Sequence, residues 1–149
     1  MPKIRLTKEF RFEMAHALEG YDGLCKHMHG HSYIFTVTII GEPINTPGHP
    51  KLGMVMDFGE LKRIVNPLIV DRFDHAVAVM ANTPTHKKLI EVGFNRIEAL
   101  PFQPTCENLI YYFAEIISSK LPDSVKLHHL KLNETATSYA EWYASDNND

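Results

Sequence analysis

The sequence predicts an α+β domain: an antiparallel sheet covered on one face by two helices. Three observations predict it. Residues 3 to 16 alternate between apolar and polar side chains, as a half-buried strand does. Two later segments carry capped apolar stripes at helical spacing. The helices do not alternate one-for-one with strands, as they would in a doubly wound parallel fold.

In the first strand, Ile4, Leu6, Phe10, Phe12 and Met14 share one face, and Arg5, Thr7, Glu9, Arg11 and Glu13 share the other. His16 ends the strand on the apolar face. A loop follows, and residues 29 to 40, rich in Tyr, Ile, Phe, Val and Thr, read as a second strand. The stretch from Gly41 to Gly53 is rich in Pro and Gly and reads as a turn-rich connection. Asp57 then caps a helix, with Glu60 completing a capping box and Leu61, Ile64, Val65 and Leu68 forming its stripe. Pro67 kinks or ends that helix.

Residues 71 to 104 show the least pattern, with a Pro84 turn and a short strand over 96 to 100. Thr105 caps the second helix, whose stripe is Leu109, Phe113, Ile116 and Ile117. Val125 to Glu134 and Tyr139 to Tyr143 complete the strands, and a polar tail closes the chain. No linker or internal repeat divides residues 1–149, so a single domain is expected.

The bulk numbers narrow the function. The 149 residues are 44% hydrophobic and 22% charged, an ordinary globular composition. A net charge of −3 argues against nucleic acid as the partner, because neutralising phosphates requires a basic surface. No run approaches the roughly 18 apolar residues that would cross a membrane as a helix. The alternating N-terminus is not a signal peptide, and the two cysteines make no disulfide framework, so a cytoplasmic location is expected.

Four of the nine histidines fall between residues 16 and 31. In a strand, residues two apart face the same way, so His29 and His31 reach one ion, and Gly30 between them leaves room for a close backbone approach. If the first two strands pair antiparallel, His16 joins them. Three imidazoles with an open fourth position form the coordination of a catalytic zinc. Iron, copper and nickel also accept imidazole. His27 reads as solvent-exposed.

Other groups fit two readings each. Cys25 lies four residues before His29 and serves as a reactive thiolate, an inert loop thiol or a fourth ligand that closes a non-catalytic zinc module. Asp74-His75 is either an acid beside a proton-accepting imidazole or a cap followed by a surface histidine. Glu134, at a strand end, either accepts a planar N–H pair from a heterocycle or is an exposed turn residue. Glu107 is most simply a first-turn acid favoured by the helix dipole.

Taken together, the segments resemble the 6-pyruvoyl-tetrahydropterin synthase superfamily. They are Phe12-Glu13-Met14-Ala15-His16, Cys25-Lys26-His27-Met28-His29-Gly30-His31-Ser32-Tyr33, Met56-Asp57-Phe58-Gly59-Glu60-Leu61-Lys62, Phe73-Asp74-His75, Pro104-Thr105-Cys106-Glu107-Asn108 and Glu134-Thr135. The resemblance implies the tunnelling fold, with a four-stranded antiparallel sheet and two helices per subunit. Three subunits close a barrel, two trimers stack into a homohexamer, and active sites lie between subunits. The three-residue gap between Cys25 and His29 resembles the 6-carboxy-tetrahydropterin branch, in which 7,8-dihydroneopterin triphosphate is the substrate and queuosine the pathway. The biopterin-pathway branch, which eliminates triphosphate to give a 6-pyruvoyl product, is the alternative.

The resemblance also implies roles. His16, His29 and His31 would hold Zn2+, and Cys25 would be the general base. His75 and Glu134 would support it, with Asp74 orienting His75. Glu134, with Thr105 to Glu107, would anchor the pterin ring, and Lys26 stands as a candidate for the triphosphate. Three departures stand out: Cys106 where serine is frequent, Trp142 where tyrosine is frequent, and a longer segment from Ala81 to Phe102.

Overall fold

Strand register explains how the histidines meet. The computed structural model describes residues 2–20 and 27–148, so Cys25 and Lys26 lie outside the described residues. Strand β1 (Ile4–His16) pairs antiparallel with β2 (His29–Gly41) along its whole length, from Ile4 opposite Gly41 to His16 opposite His29. Directly opposed residues share a sheet face. Phe10, Phe12, Met14 and His16 therefore face the same side as Phe35, Tyr33, His31 and His29.

Among the described residues the sheet has six strands, not the four antiparallel strands expected. Strands β5 (Val125–Asn133) and β6 (Tyr139–Tyr143) extend the antiparallel side. On the other side, β3 (Ala76–Met80) runs parallel to β1, and β4 (Ile97–Leu100) runs parallel to β3. Ala76, Ala78 and Val79 in β3 are all buried. A short strand buried on both faces carries no period-two signal, which is why it escapes pattern reading.

One face of the sheet carries the core. Helix α1 (Phe58–Val65) starts at Asp57, whose side chain accepts the Gly59 N–H and the Lys51 ammonium instead of joining a capping box with Glu60. Pro67 does not end the segment. The chain widens into a π turn over Asn66–Val70, where the Asp71 N–H bonds the Asn66 carbonyl, and continues as the short α2 (Asp71–Phe73). The wider turn accommodates a residue with no N–H to give. Leu61, Val65, Ile69 and Phe73 of this segment are fully buried.

Helix α4 (Cys106–Lys120) lies beside it, burying Leu109, Phe113 and Ile117. The ring of Phe113 meets Phe12, Phe35 and Phe73 at centroid distances of 6.3, 5.2 and 5.3 Å, so strands and both helical segments share one aromatic centre. Burying each such side chain contributes roughly 1.5–3 kcal/mol of transfer free energy. A further helix, α3 (Pro84–Glu91), stands where only a Pro84 turn was expected; Thr83 caps it by accepting the His86 N–H. With β4, it accounts for the longer segment from Ala81 to Phe102. Trp142 packs against the core from β6.

Candidate metal centre and adjoining cavity

His16, His29 and His31 converge at one end of the β1–β2 ladder, their ligand atoms all within 4.8 Å of one another. His16 is 1% exposed, so its imidazole is a fixed part of the core floor. Burial pushes its pKa down, and burial does the same to His31. Both rings therefore favour the neutral form, which is the form that ligates.

Hydrogen bonds fix which nitrogen is free. His16 Nδ1 lies 2.8 Å from the Pro104 carbonyl oxygen, and His29 Nδ1 lies 2.7 Å from the His27 carbonyl oxygen. A carbonyl only accepts, so both Nδ1 atoms carry the proton. In the neutral rings, both Nε2 atoms then present bare lone pairs, and they stand 3.0 Å apart. His31 Nε2 is buried without a hydrogen-bond partner. Such an arrangement could hold a cation among the three nitrogens, and imidazoles oriented by backbone carbonyls suit that role. Gly30 is less constrained than expected: a Cβ there would meet Met14 O only at an ordinary 3.6 Å.

Glu134 reaches the same point. Its Oε1 lies 3.3 Å from His16 Nε2 and 3.4 Å from His31 Nε2. The β2–β5 register places it there, since Ile34 pairs with Asn133, one residue before. Tyr33 closes the floor, its hydroxyl buried and unpartnered, and burial raises its pKa. No spacing pattern marked Tyr33; only its core-face parity with His31 pointed toward this position.

A cavity of about 460 Å³ opens from His16 and Glu134. Thr105 and Glu107 line it together with Cys106, Gln103 and Glu19. Thr105 caps α4 by accepting the Asn108 N–H, so the cavity wall is a helix N-terminus. Cys106 is buried and donates to the Leu132 carbonyl; burial, and then the Glu134 charge, push its thiol up to about 12. Gln103 and Glu19 were not expected from the sequence. The Gln103 amide clamps the Glu19 backbone, accepting its N–H at 2.9 Å and donating to its carbonyl at 2.6 Å.

Asp74 and His75 do not line this cavity. His75 lies with Glu13, Ser32 and His31 around a second one of about 350 Å³, and Asp74 contacts it there through His75 Nδ1. His75 has a φ of 62°, a left-handed conformation that turns its ring back toward Asp74, with Nδ1 3.0 Å from Asp74 Oδ2. Adjacent strand residues would point apart; the left-handed turn removes that obstacle. The corner is clamped on Glu13, whose N–H donates to Asp74 Oδ1 and whose carbonyl accepts from the His75 N–H. That first bond holds the Asp74 carboxyl below its ordinary range.

Known proteins share this framework. The family model for 6-pyruvoyl tetrahydropterin synthase matches residues 5–145. A 6-carboxy-5,6,7,8-tetrahydropterin synthase of Haemophilus influenzae is 32% identical over 142 residues, covering 93% of this chain and 97% of its own. One of the same name from Synechocystis is 33% identical over 127 residues, covering 78% of this chain and 98% of its own. Among solved structures, an uncharacterized protein of Wolinella succinogenes superposes with a TM-score of 0.77 at 20% identity, covering 97% of this chain and 99% of its own. The 6-pyruvoyl tetrahydropterin synthase of Caenorhabditis elegans superposes with a TM-score of 0.69 at 24% identity, covering 97% of each chain. This chain belongs to the 6-pyruvoyl tetrahydropterin synthase family.

Proposed function

We propose that this chain is a zinc-dependent 6-carboxy-5,6,7,8-tetrahydropterin synthase. It converts 7,8-dihydroneopterin triphosphate to 6-carboxy-5,6,7,8-tetrahydropterin, acetaldehyde and triphosphate in 7-deazaguanine and queuosine biosynthesis. It acts in the cytoplasm as a homohexamer. The observation that carries the reading is the convergence of the His16, His29 and His31 ligand atoms, with Nδ1 of His16 and His29 turned to backbone carbonyls and His31 Nε2 unpartnered, beside a cavity walled by Thr105, Glu107 and Glu134. Relatives matched over most of their length bear the 6-carboxy name. No helix of the described residues is long and apolar enough to cross a membrane.

His16, His29 and His31 hold the ion, which when bound supplies Lewis-acid polarisation of substrate oxygens. Glu134 and the Thr105 to Glu107 segment take the N–H edge of the pterin, a planar donor pair that suits a carboxylate. Cys25 acts as the general base. Asp74 holds His75 in one orientation for proton transfer. His75 borders a cavity away from the three imidazoles' pocket, so with Asp74 behind it this pair serves the Cys25 site of a neighbouring subunit.

Incubation with 7,8-dihydroneopterin triphosphate tests the reaction; acetaldehyde in step with 6-carboxy-5,6,7,8-tetrahydropterin is the expected result. A 6-pyruvoyl product without acetaldehyde overturns it in favour of the other branch, whose name the Caenorhabditis elegans structure bears. Cys25→Ala is expected to keep zinc and lose turnover. Loss of zinc from that variant, with no turnover in the parent protein, identifies a closed binding module instead.

A further inference from the structure

Glu134 is asked to be in two places. The proposed function needs its carboxylate on the heterocycle, yet its Oε1 lies 3.3 and 3.4 Å from two ligand nitrogens, His16 Nε2 and His31 Nε2. Metal–ligand bonds of about 2.0–2.1 Å, arranged tetrahedrally, put neighbouring ligand atoms about 3.3–3.4 Å apart. The carboxylate oxygen is thus spaced from both nitrogens as a fellow ligand would be. The Glu134 carboxylate has no other side-chain partner among the described residues. Its backbone is held: the Glu134 N–H donates to the Ser138 carbonyl at 3.0 Å, so the side chain alone has to move.

From this geometry we infer that Glu134 is the fourth metal ligand of the substrate-free protein and leaves the ion when the heterocycle binds. The inference rests on the proposed function for the identity of the heterocycle. The exchange makes and breaks no covalent bond. The carboxylate oxygen gives up the ion, accepts the ring N–H pair, and frees a coordination position for an oxygen of the substrate side chain. A carboxylate in that position also offsets the ion's positive charge in the partly buried site before substrate arrives. Coordination then opens only when a correctly seated ring has claimed Glu134.

Such sharing is a coupling free energy and is reciprocal: a ring that takes Glu134 must weaken metal binding. The experiment titrates the full-length protein with zinc against a competing chelator, with and without pterin that lacks a C6 side chain. The same titration is run on Glu134→Gln, and the Co2+-loaded forms are compared by visible absorption. The expected results are zinc affinity about tenfold or more lower in Glu134→Gln and an altered Co2+ spectrum. Side-chain-free pterin is expected to lower zinc affinity about fivefold or more in the parent protein, and not in the variant. Equal affinity and identical Co2+ spectra for the two proteins overturn the inference, as does pterin that leaves zinc affinity unchanged or raises it. In each of those cases zinc binding itself leaves the proposed function standing. A parent protein that binds no zinc overturns both. The pterin titration needs no substitution, so a poorly folded variant does not shelter the idea.

Discussion

The Nδ1 of His16 donates to the Pro104 carbonyl oxygen at 2.8 Å, joining the end of the first strand to the residue just before the Thr105 cap of α4. The carbonyl fixes the tautomer of an imidazole whose other nitrogen faces His29 Nε2 and Glu134 Oε1. Under the proposed function, helix capping is therefore linked to metal binding. Thr105→Ala removes the acceptor for the Asn108 N–H and is expected to cost about 0.5–2 kcal/mol of stability. It is also expected to weaken zinc binding about threefold to tenfold by loosening Pro104. Thr105→Ser keeps both. Denaturant melts and chelator competition on the three proteins check this; a destabilised variant with unchanged zinc affinity breaks the link.

Asp74 serves two neighbours at once, accepting the Glu13 N–H and facing His75 Nδ1. Its carboxyl is held below the ordinary range, first by that N–H and also by His75. The sign follows: its contribution to stability is complete above the ordinary carboxylate value of about 3.9 and is lost as pH falls through the depressed one. The gap in melting temperature between the parent protein and Asp74→Asn should be widest near neutrality and close in acid. Asn is able to accept the Glu13 N–H but then turns an amide N–H toward His75. Turnover is expected to fall about a hundredfold or more with zinc content unchanged.

Much of this site is written in strand parity. The alternation over residues 4 to 16 and the spacing of His29 and His31 already put all three imidazoles on one face, and the β1–β2 register realises it without a break. The position of Glu134 is not written there. It depends on the β2–β5 pairing, whose register shifts between Thr38 and Ile39 because His128 bulges from the ladder. One residue of slip reverses which face a side chain takes, and nothing in the run around His128 announces the bulge. Likewise, Asp74-His75 reads as a plain dipeptide until the left-handed turn at His75 and its clamp on Glu13, 61 residues earlier, are seen.

Cys106 lines the cavity yet is chemically quiet. Burial and the Glu134 charge push its thiol up to about 12, so at pH 8 almost none is thiolate. Of the two cysteines in the chain, no more than one should react with a thiol reagent in the native protein, and both should react after denaturation. The raised value also sets an alkaline limit. The stabilising contribution of the neutral thiol is complete below the ordinary value of about 8.5 and is lost as pH rises toward the native one. Cys106→Ser, which does not titrate in this range, should flatten that part of the stability profile while Tyr33 preserves the rest. Rapid native labelling of Cys106, located by peptide mapping, contradicts the assignment.

His16 and His31 should be equal as ligands and unequal as structure. His16 is 1% exposed and holds the Pro104 carbonyl, so His16→Ala leaves both a cavity and an unpaired acceptor. That combination is expected to cost about 2 kcal/mol or more even without metal. The His31 Nε2 has no hydrogen-bond partner, so His31→Ala removes a buried nitrogen without breaking a hydrogen bond made by that atom. Its metal-free stability should change by less than about 1 kcal/mol. Saturating zinc raises the melting temperature of any form that binds it in proportion to the logarithm of zinc over its dissociation constant. The parent protein should therefore gain on zinc addition and lose on chelation, while both variants stay flat. A His31→Ala protein that still gains as much as the parent removes His31 from the ligand set, and an equal metal-free loss in the two variants removes the structural distinction.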